Sequence, residues 1–248
     1  MSSLRPRFPR CSGSATASLV PGYRRIMNLP AEFALLAYDD DGKPVTDGTH
    51  LDNGLGGALL LELALAGRVD VAGKKVVVAD PEPIGDPLID LAFGMIVSDP
   101  KARKPGHWVT KFAKNARNQV MDQLVAEGVV RRERSRVLGV FPRTRYPARH
   151  GVEPPAETAA RQRMTAAING TGPVEPRTAA LCALVAATDL DKKVFRDLDR
   201  KQVKRRLKEI GEGSWAAAAV KKSIEEIQAA IMVAVIAGST AGATGGGS

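Results

Sequence analysis

The chain has 248 residues, 36 Lys and Arg against 27 Asp and Glu, and a formal charge of +9, so its partners are expected to be anionic. Aromatic residues make up only 4%, which argues against stacking platforms for single-stranded nucleic acid. Cys11 and Cys182 lie far apart and offer neither a disulfide framework nor metal spacing, and the apolar run from Ala229 to Ala237 falls far short of the roughly 20 residues that span a membrane.

The charge is segregated. Residues 28–100 carry 4 Lys/Arg against 13 Asp/Glu, whereas residues 101–150 carry 13 against 3. Residues 1–27 hold Arg5, Arg7, Arg10, Arg24 and Arg25 with no acid. That composition predicts a disordered basic arm, or an extension upstream of a protein that begins at Met27. The ordered domain is expected over residues 28–238, followed by a flexible Gly-rich tail over 239–248.

A first helix is predicted from Leu29, with Pro30 in its first turn, and Asp39-Asp40-Asp41-Gly42 reads as a solvated turn. The run Ala58–Leu65 is apolar and rich in helix formers, and Gly67 stands where a left-handed cap would end it, so a buried helix is predicted. Gly54, Gly56 and Gly57 crowd its expected entrance, where free N–H groups would face an anion. A tight turn or close helix packing is the plainer account, because the Lys-Ser/Thr of a phosphate loop is missing. Residues Arg68–Val78 alternate around Gly73 as a β-hairpin does. Asp86 is placed to cap a helix opening at Pro87, with Asp90 in its first turn.

A longer helix is expected from about His107 to Ala126, with Lys111, Lys114 and Arg117 on one side of it. Arg131, Arg132, Arg134 and Arg136 follow on a strand-like segment, with Arg143, Arg145 and Arg149 on its return. Gln123–Val130, a charged turn and Val137–Phe141 repeat the order helix, Gly, strand, turn, strand. Further helices are predicted over Ala156–Ile168, Pro176–Thr188, Lys192–Ile210 and Trp215–Ala237, and the basic run Lys201–Lys208 reads first as a solvated helix face. The fold class is therefore mainly α, a single helical domain with two or more β-hairpins.

Four ordered segments resemble the Golgi phosphoprotein 3 family: Gly54–Gly57 with Leu61–Arg68, Ile84–Asp90, Arg117 through Val129, and Leu181–Asp189. The resemblance covers roughly Leu29 to Ala237, and short connections with high Ala, Arg and Gly content are similar in style to a bacterial, actinobacterial-type member. It implies a non-catalytic protein, cytoplasmic and peripheral on a membrane face (the Golgi in a eukaryote), that binds phosphatidylinositol 4-phosphate. In eukaryotic members a tryptophan before the central helix, an arginine in the Gly-Leu turn and two arginines on a later helix form the headgroup pocket. Those positions fall near Asp47 and on Gly56, Lys114 and Arg117, so half of the pocket is absent here. The resemblance also implies self-association through a hydrophobic-tipped hairpin, and in members with a Golgi the binding of glycosyltransferase tails.

An anionic headgroup site is thus expected at Lys111, Lys114, Arg117, Gly56, Gly57, Arg131 and Arg132, with a membrane or self-association hairpin at Phe141, Arg143, Arg145 and Tyr146. No cofactor and no metal is expected, and no protein client is assigned. The alternative from the residues alone is a winged-helix nucleic-acid binder, disfavoured because the helix before each hairpin is too apolar to read bases. His50, His107 and His150 lack a nearby Ser or Cys partner in a nucleophile motif, which argues against an enzyme.

Overall fold

A computed structural model describes residues 27–137, 140–212 and 218–243; all but Met27 of the arm expected over 1–27 and the last five residues of the tail lie outside them. Chain order begins α1 (Leu29–Leu36), α2 (Gly48–Leu65), β1 (Val69–Ala72), β2 (Lys75–Val78), α3 (Pro87–Val97) and α4 (Pro105–Ala126). It continues with β3 (Glu133–Val137), β4 (Phe141–Arg145), α5 (Pro155–Asn169), α6 (Pro176–Ala187), α7 (Asp191–Val194), α8 (Arg200–Gly211) and α9 (Ala218–Ala243). The fold is mainly α, one domain with two antiparallel two-stranded hairpins.

Helix α2 is the centre. Asp47 caps it by accepting from the N–H groups of Thr49 and His50, so the helix starts six residues before Gly54. Twelve of its residues are buried, and it has no solvent side beyond its ends. Neighbouring helices approach it at glycines. A Cβ at Gly54 would lie 2.5 Å from the Phe33 ring of α1, one at Gly56 would lie 2.3 Å from the Val109 carbonyl of α4, and one at Gly57 would lie 2.4 Å from Ile231 of α9. Close packing, not an exposed entrance, explains the cluster.

Two helix–hairpin units are present. After α2, Gly67 (φ 70) closes the helix with Arg68 N–H donating to Leu63 O, and after α4, Gly128 (φ 73) does the same with Val129 N–H and Leu124 O. The β1–β2 turn has both Gly73 (φ 56) and Lys74 (φ 61) in the left-handed region, the geometry that suits a two-residue hairpin. In the second hairpin the arginine-bearing segment is a strand with its return, as read, and not the charged turn of the repeat: Glu133–Val137 forms the first strand and Phe141–Arg145 the second.

The predicted helix Lys192–Ile210 is broken. Chain reversal at Phe195–Leu198 separates α7 from α8, and Asp199 caps α8 by accepting from Gln202 N–H. On α8, Lys201, Lys204, Arg205 and Lys208 are exposed, the solvated face expected, whereas Arg206 is buried and donates to the carbonyls of Ala167 and Gly172. Helix α9 runs on past Gly238 to Ala243, because a glycine at 238 lets it lie against Thr49, where a Cβ would be 2.3 Å from the threonine methyl. Buried charge joins α1, α2, α5 and α6: Arg163 donates to Glu32, and Arg177 bridges Glu32 and Glu62. Cys182 is fully buried, and burial pushes its thiol up to about 12.

Candidate functional site

Helix α4 presents an apolar stripe, with Trp108, Val109, Phe112, Ala116, Val120, Met121 and Leu124 buried, which leaves its cations on the outer side. Lys111 is half-buried, its Nζ 4.8 Å from the centroid of the Trp108 ring, a cation–π contact. Lys114 is exposed and enters no ion pair among the described residues. Arg117 is differently occupied: its Nε donates to Asp52 Oδ1 at 2.8 Å and its Nη2 to the Gly48 carbonyl at 2.9 Å. It ties α4 to the first turn of α2.

The surroundings of Arg117 are acidic. His50 stands between Asp47 and Asp189, 3.6 Å from the latter, and burial raises the Asp52 carboxyl above its ordinary value against the opposing pull of Arg117. At the place where the family resemblance puts a cationic headgroup pocket, Arg117 is committed to Asp52 and Gly48, and Asp47 and Asp189 flank His50 of the same helix end. Local signals for that gathering were present only at Asp47, which reads as a helix cap; Asp52 and Asp189 join it through contacts distant in sequence.

Gly56 and Gly57 do not belong to a binding surface. Both are buried inside α2, where their N–H groups lie in the helical hydrogen-bond ladder and their missing side chains admit α4 and α9. The expected anion-facing bend is absent because the Asp47 cap starts the helix earlier.

The second hairpin carries a dense run of exposed positive charge. Its base is anchored: Tyr146 N–H donates to the Gly42 carbonyl at 2.9 Å, the Tyr38 and Tyr146 rings meet edge-on at 5.9 Å, and Arg132 pairs with Asp122 of α4 while lying 5.6 Å over the Tyr146 ring. Arg131 pairs with Glu133 at 2.9 Å. Arg134 and Arg136 are exposed and enter no ion pair among the described residues, and Arg143 and Arg145 on the facing strand are half-exposed. The residues expected on the hairpin lie along one side of it. Phe141, Arg143 and Arg145 lie on β4 and Tyr146 follows it, with Phe141 paired to Val137 in register, so the connection falls at 138–140. That connection reads Leu138-Gly139-Val140, and Val140 is 72% exposed.

The structure brings Arg132 and Tyr146 to the end of α4 but does not bring all the predicted cations together. Lys114 lies eight residues before Asp122, about 12 Å along the helix axis. Four concavities are prominent among the described residues, and none is lined by Lys111, Lys114, Arg117, Arg131 or Arg132. No group of three or more His, Cys, Asp or Glu among the described residues is arranged to hold a metal, and no described helix is long and apolar enough to cross a membrane.

No curated protein matches the chain. A family model described as Golgi phosphoprotein 3 (GPP34) matches residues 29–227, from the first turn of α1 into α9. With that match running through both helix–hairpin units and the helices around them, the chain belongs to the Golgi phosphoprotein 3 family.

Proposed function

We propose that this protein is a non-catalytic, peripheral membrane protein that binds anionic phospholipid headgroups, with the β3–β4 hairpin as its contact. One observation carries the reading: on the β3–β4 hairpin Arg134 and Arg136 are exposed and unpaired among the described residues, and Val140, just before β4, is 72% exposed. An exposed apolar side chain such as Val140 enters the interfacial region while a cationic collar meets lipid phosphates. Family membership supports the lipid-binding class. The acidic surroundings of Arg117 argue for general anionic lipid over an inositide-specific pocket at Lys114 and Arg117. Nucleic acid is the weaker candidate, since α2 is enclosed on all sides and has no face to offer a groove.

Each arginine near an anionic leaflet contributes about 1 kcal/mol, so Arg134→Ala with Arg136→Ala removes about 2 kcal/mol, roughly a 30-fold loss of partitioning. Co-sedimentation with phosphatidylcholine vesicles, with and without phosphatidylglycerol, measures this, and binding should fall steeply with salt. Equal sedimentation of wild type and double variant with the anionic vesicles would refute the assignment. If the variants instead alter only the oligomeric state on gel filtration, the hairpin is a self-association element and the lipid reading fails.

A further inference from the structure

A groove runs between α9 and the start of α4, about 910 Å³ in volume and within the range of clefts that hold small ligands. Its floor is apolar, formed by Ala229, Ala230, Val233 and Ala237 of α9, with Val233 66% exposed. Its rim is cationic. Lys74 reaches it from the β1–β2 turn, and Arg103 and Lys104 stand just before α4; Glu226 is the single carboxylate among its lining residues. Lys74 and Lys104 enter no ion pair among the described residues, and Arg103 meets Asp99 through Nε alone, at 3.2 Å. The start of α4 has no side-chain cap, since Lys104 at the cap position has no acceptor to offer.

Charge complementarity selects the occupant. An apolar helix would cover the floor while bringing no anion to the two unpaired ammonium groups at the rim, which Glu226 alone cannot both neutralise. A molecule with an acyl chain and an anionic head satisfies both. Lys74 holds φ 61, a backbone region that glycine or asparagine occupies more cheaply. The groove is not the place around Arg117, which lies ten residues beyond His107, about 15 Å further along α4.

We infer that this groove binds a single anionic phospholipid molecule, its phosphate between Lys74 and Lys104 at the open start of α4 and its acyl chain along α9. The inference takes its ligand class from the anionic-lipid reading above, but it uses none of the hairpin arginines. The test is calorimetric titration of the full chain with monomeric lysophosphatidylglycerol, kept below its critical micelle concentration, beside lysophosphatidylcholine and inorganic phosphate. Lysophosphatidylglycerol should bind, the choline lipid should bind roughly 10-fold more weakly, because the quaternary ammonium beside its phosphate is repelled by the lysine rim, and phosphate alone should not bind measurably. Lys74→Gly with Lys104→Ala should weaken the lipid by at least that factor while leaving the thermal midpoint unchanged or higher, because glycine relieves the left-handed backbone. Val233→Asp should weaken it similarly. Equal binding of both lipids, phosphate binding as tightly as the lipid, or affinity untouched by these substitutions overturns the inference. The variant Arg134→Ala/Arg136→Ala separates the two proposals: it should lose anionic vesicles and keep monomeric lysophosphatidylglycerol. Wild type that binds the monomer but no anionic vesicle refutes the membrane reading and leaves the groove standing.

Discussion

Substituting Gly56 by alanine tests whether that glycine packs helices or faces a ligand. A Cβ at this position meets the Val109 carbonyl at 2.3 Å and the Ala113 amide nitrogen at 2.9 Å, both backbone atoms of α4. No rotamer change relieves such a contact; α2 and α4 must separate by more than 1 Å before the carbonyl reaches the ordinary range that begins at 3.4 Å. That movement loosens every side chain held between the two helices, a cost of about 3 kcal/mol or more at the severe end of overpacking. Alanine is favoured over glycine in a helix interior by about 1 kcal/mol, which offsets only part of it. The net expectation is a loss of about 2 kcal/mol, or a fall of roughly 4–8 °C in the thermal midpoint for a domain of this size. Gly94 on α3 is the control, because nothing lies within 4 Å of its hypothetical Cβ; Gly94→Ala should stabilise by about 0.5–1 kcal/mol. Urea unfolding of the three proteins decides the matter. If Gly56→Ala is as stable as wild type yet loses anionic lipid, the packing account is wrong and the glycine belongs to a binding surface.

Three other outcomes are expected. Arg117→Ala should cost about 1 kcal/mol in urea unfolding, the value of a half-exposed pair and one carbonyl hydrogen bond, and should leave vesicle binding intact; a stable variant that loses vesicles would restore Arg117 as a headgroup ligand. Asp86→Ala should cost about 2 kcal/mol, since the carboxylate caps α3 at Leu88 and Ile89 and also accepts from Asn28 Nδ2 and Gln123 Nε2; a loss under roughly 0.5 kcal/mol would contradict that role. Burial, opposed by Arg161, pushes the Glu157 carboxyl from its ordinary 4.5 up to about 7. The folded state therefore binds the proton more tightly than the unfolded chain, so this residue favours folding below pH 4.5 and loses that contribution as pH rises to 7. Glu157→Gln should accordingly gain stability relative to wild type between pH 5 and pH 8, followed by thermal melts; a difference that is flat with pH refutes the assignment.

Elements that depend on local chemistry were legible in the sequence. The capped start of α3 at Asp86, the Gly67 stop of α2, the Gly73-centred turn and the apolar stripe of α4 each follow from neighbours within a few residues. The start of α2 was not, because three glycines in four positions read as a bend unless Phe33, Val109 and Ile231 are known to press against them. The same limit governs the site. Exposure of Lys114 follows from helical spacing, whereas the engagement of Arg117 depends on Asp52, 65 positions earlier. On the second hairpin, the arginines were legible as a strand and its return, but the same residues also read as a charged turn of a repeat, because charged strands run against the usual pattern.

The notches on α2 also set an order of events during synthesis. Ile231, which fits against Gly57, is made 174 residues after it (231 − 57), and at about 5–20 residues per second that interval is roughly 9–35 s. Throughout it, the central helix of the nascent chain waits with one side bare, so a long period of exposure to chaperones and aggregation is written into the distance between a glycine and an isoleucine.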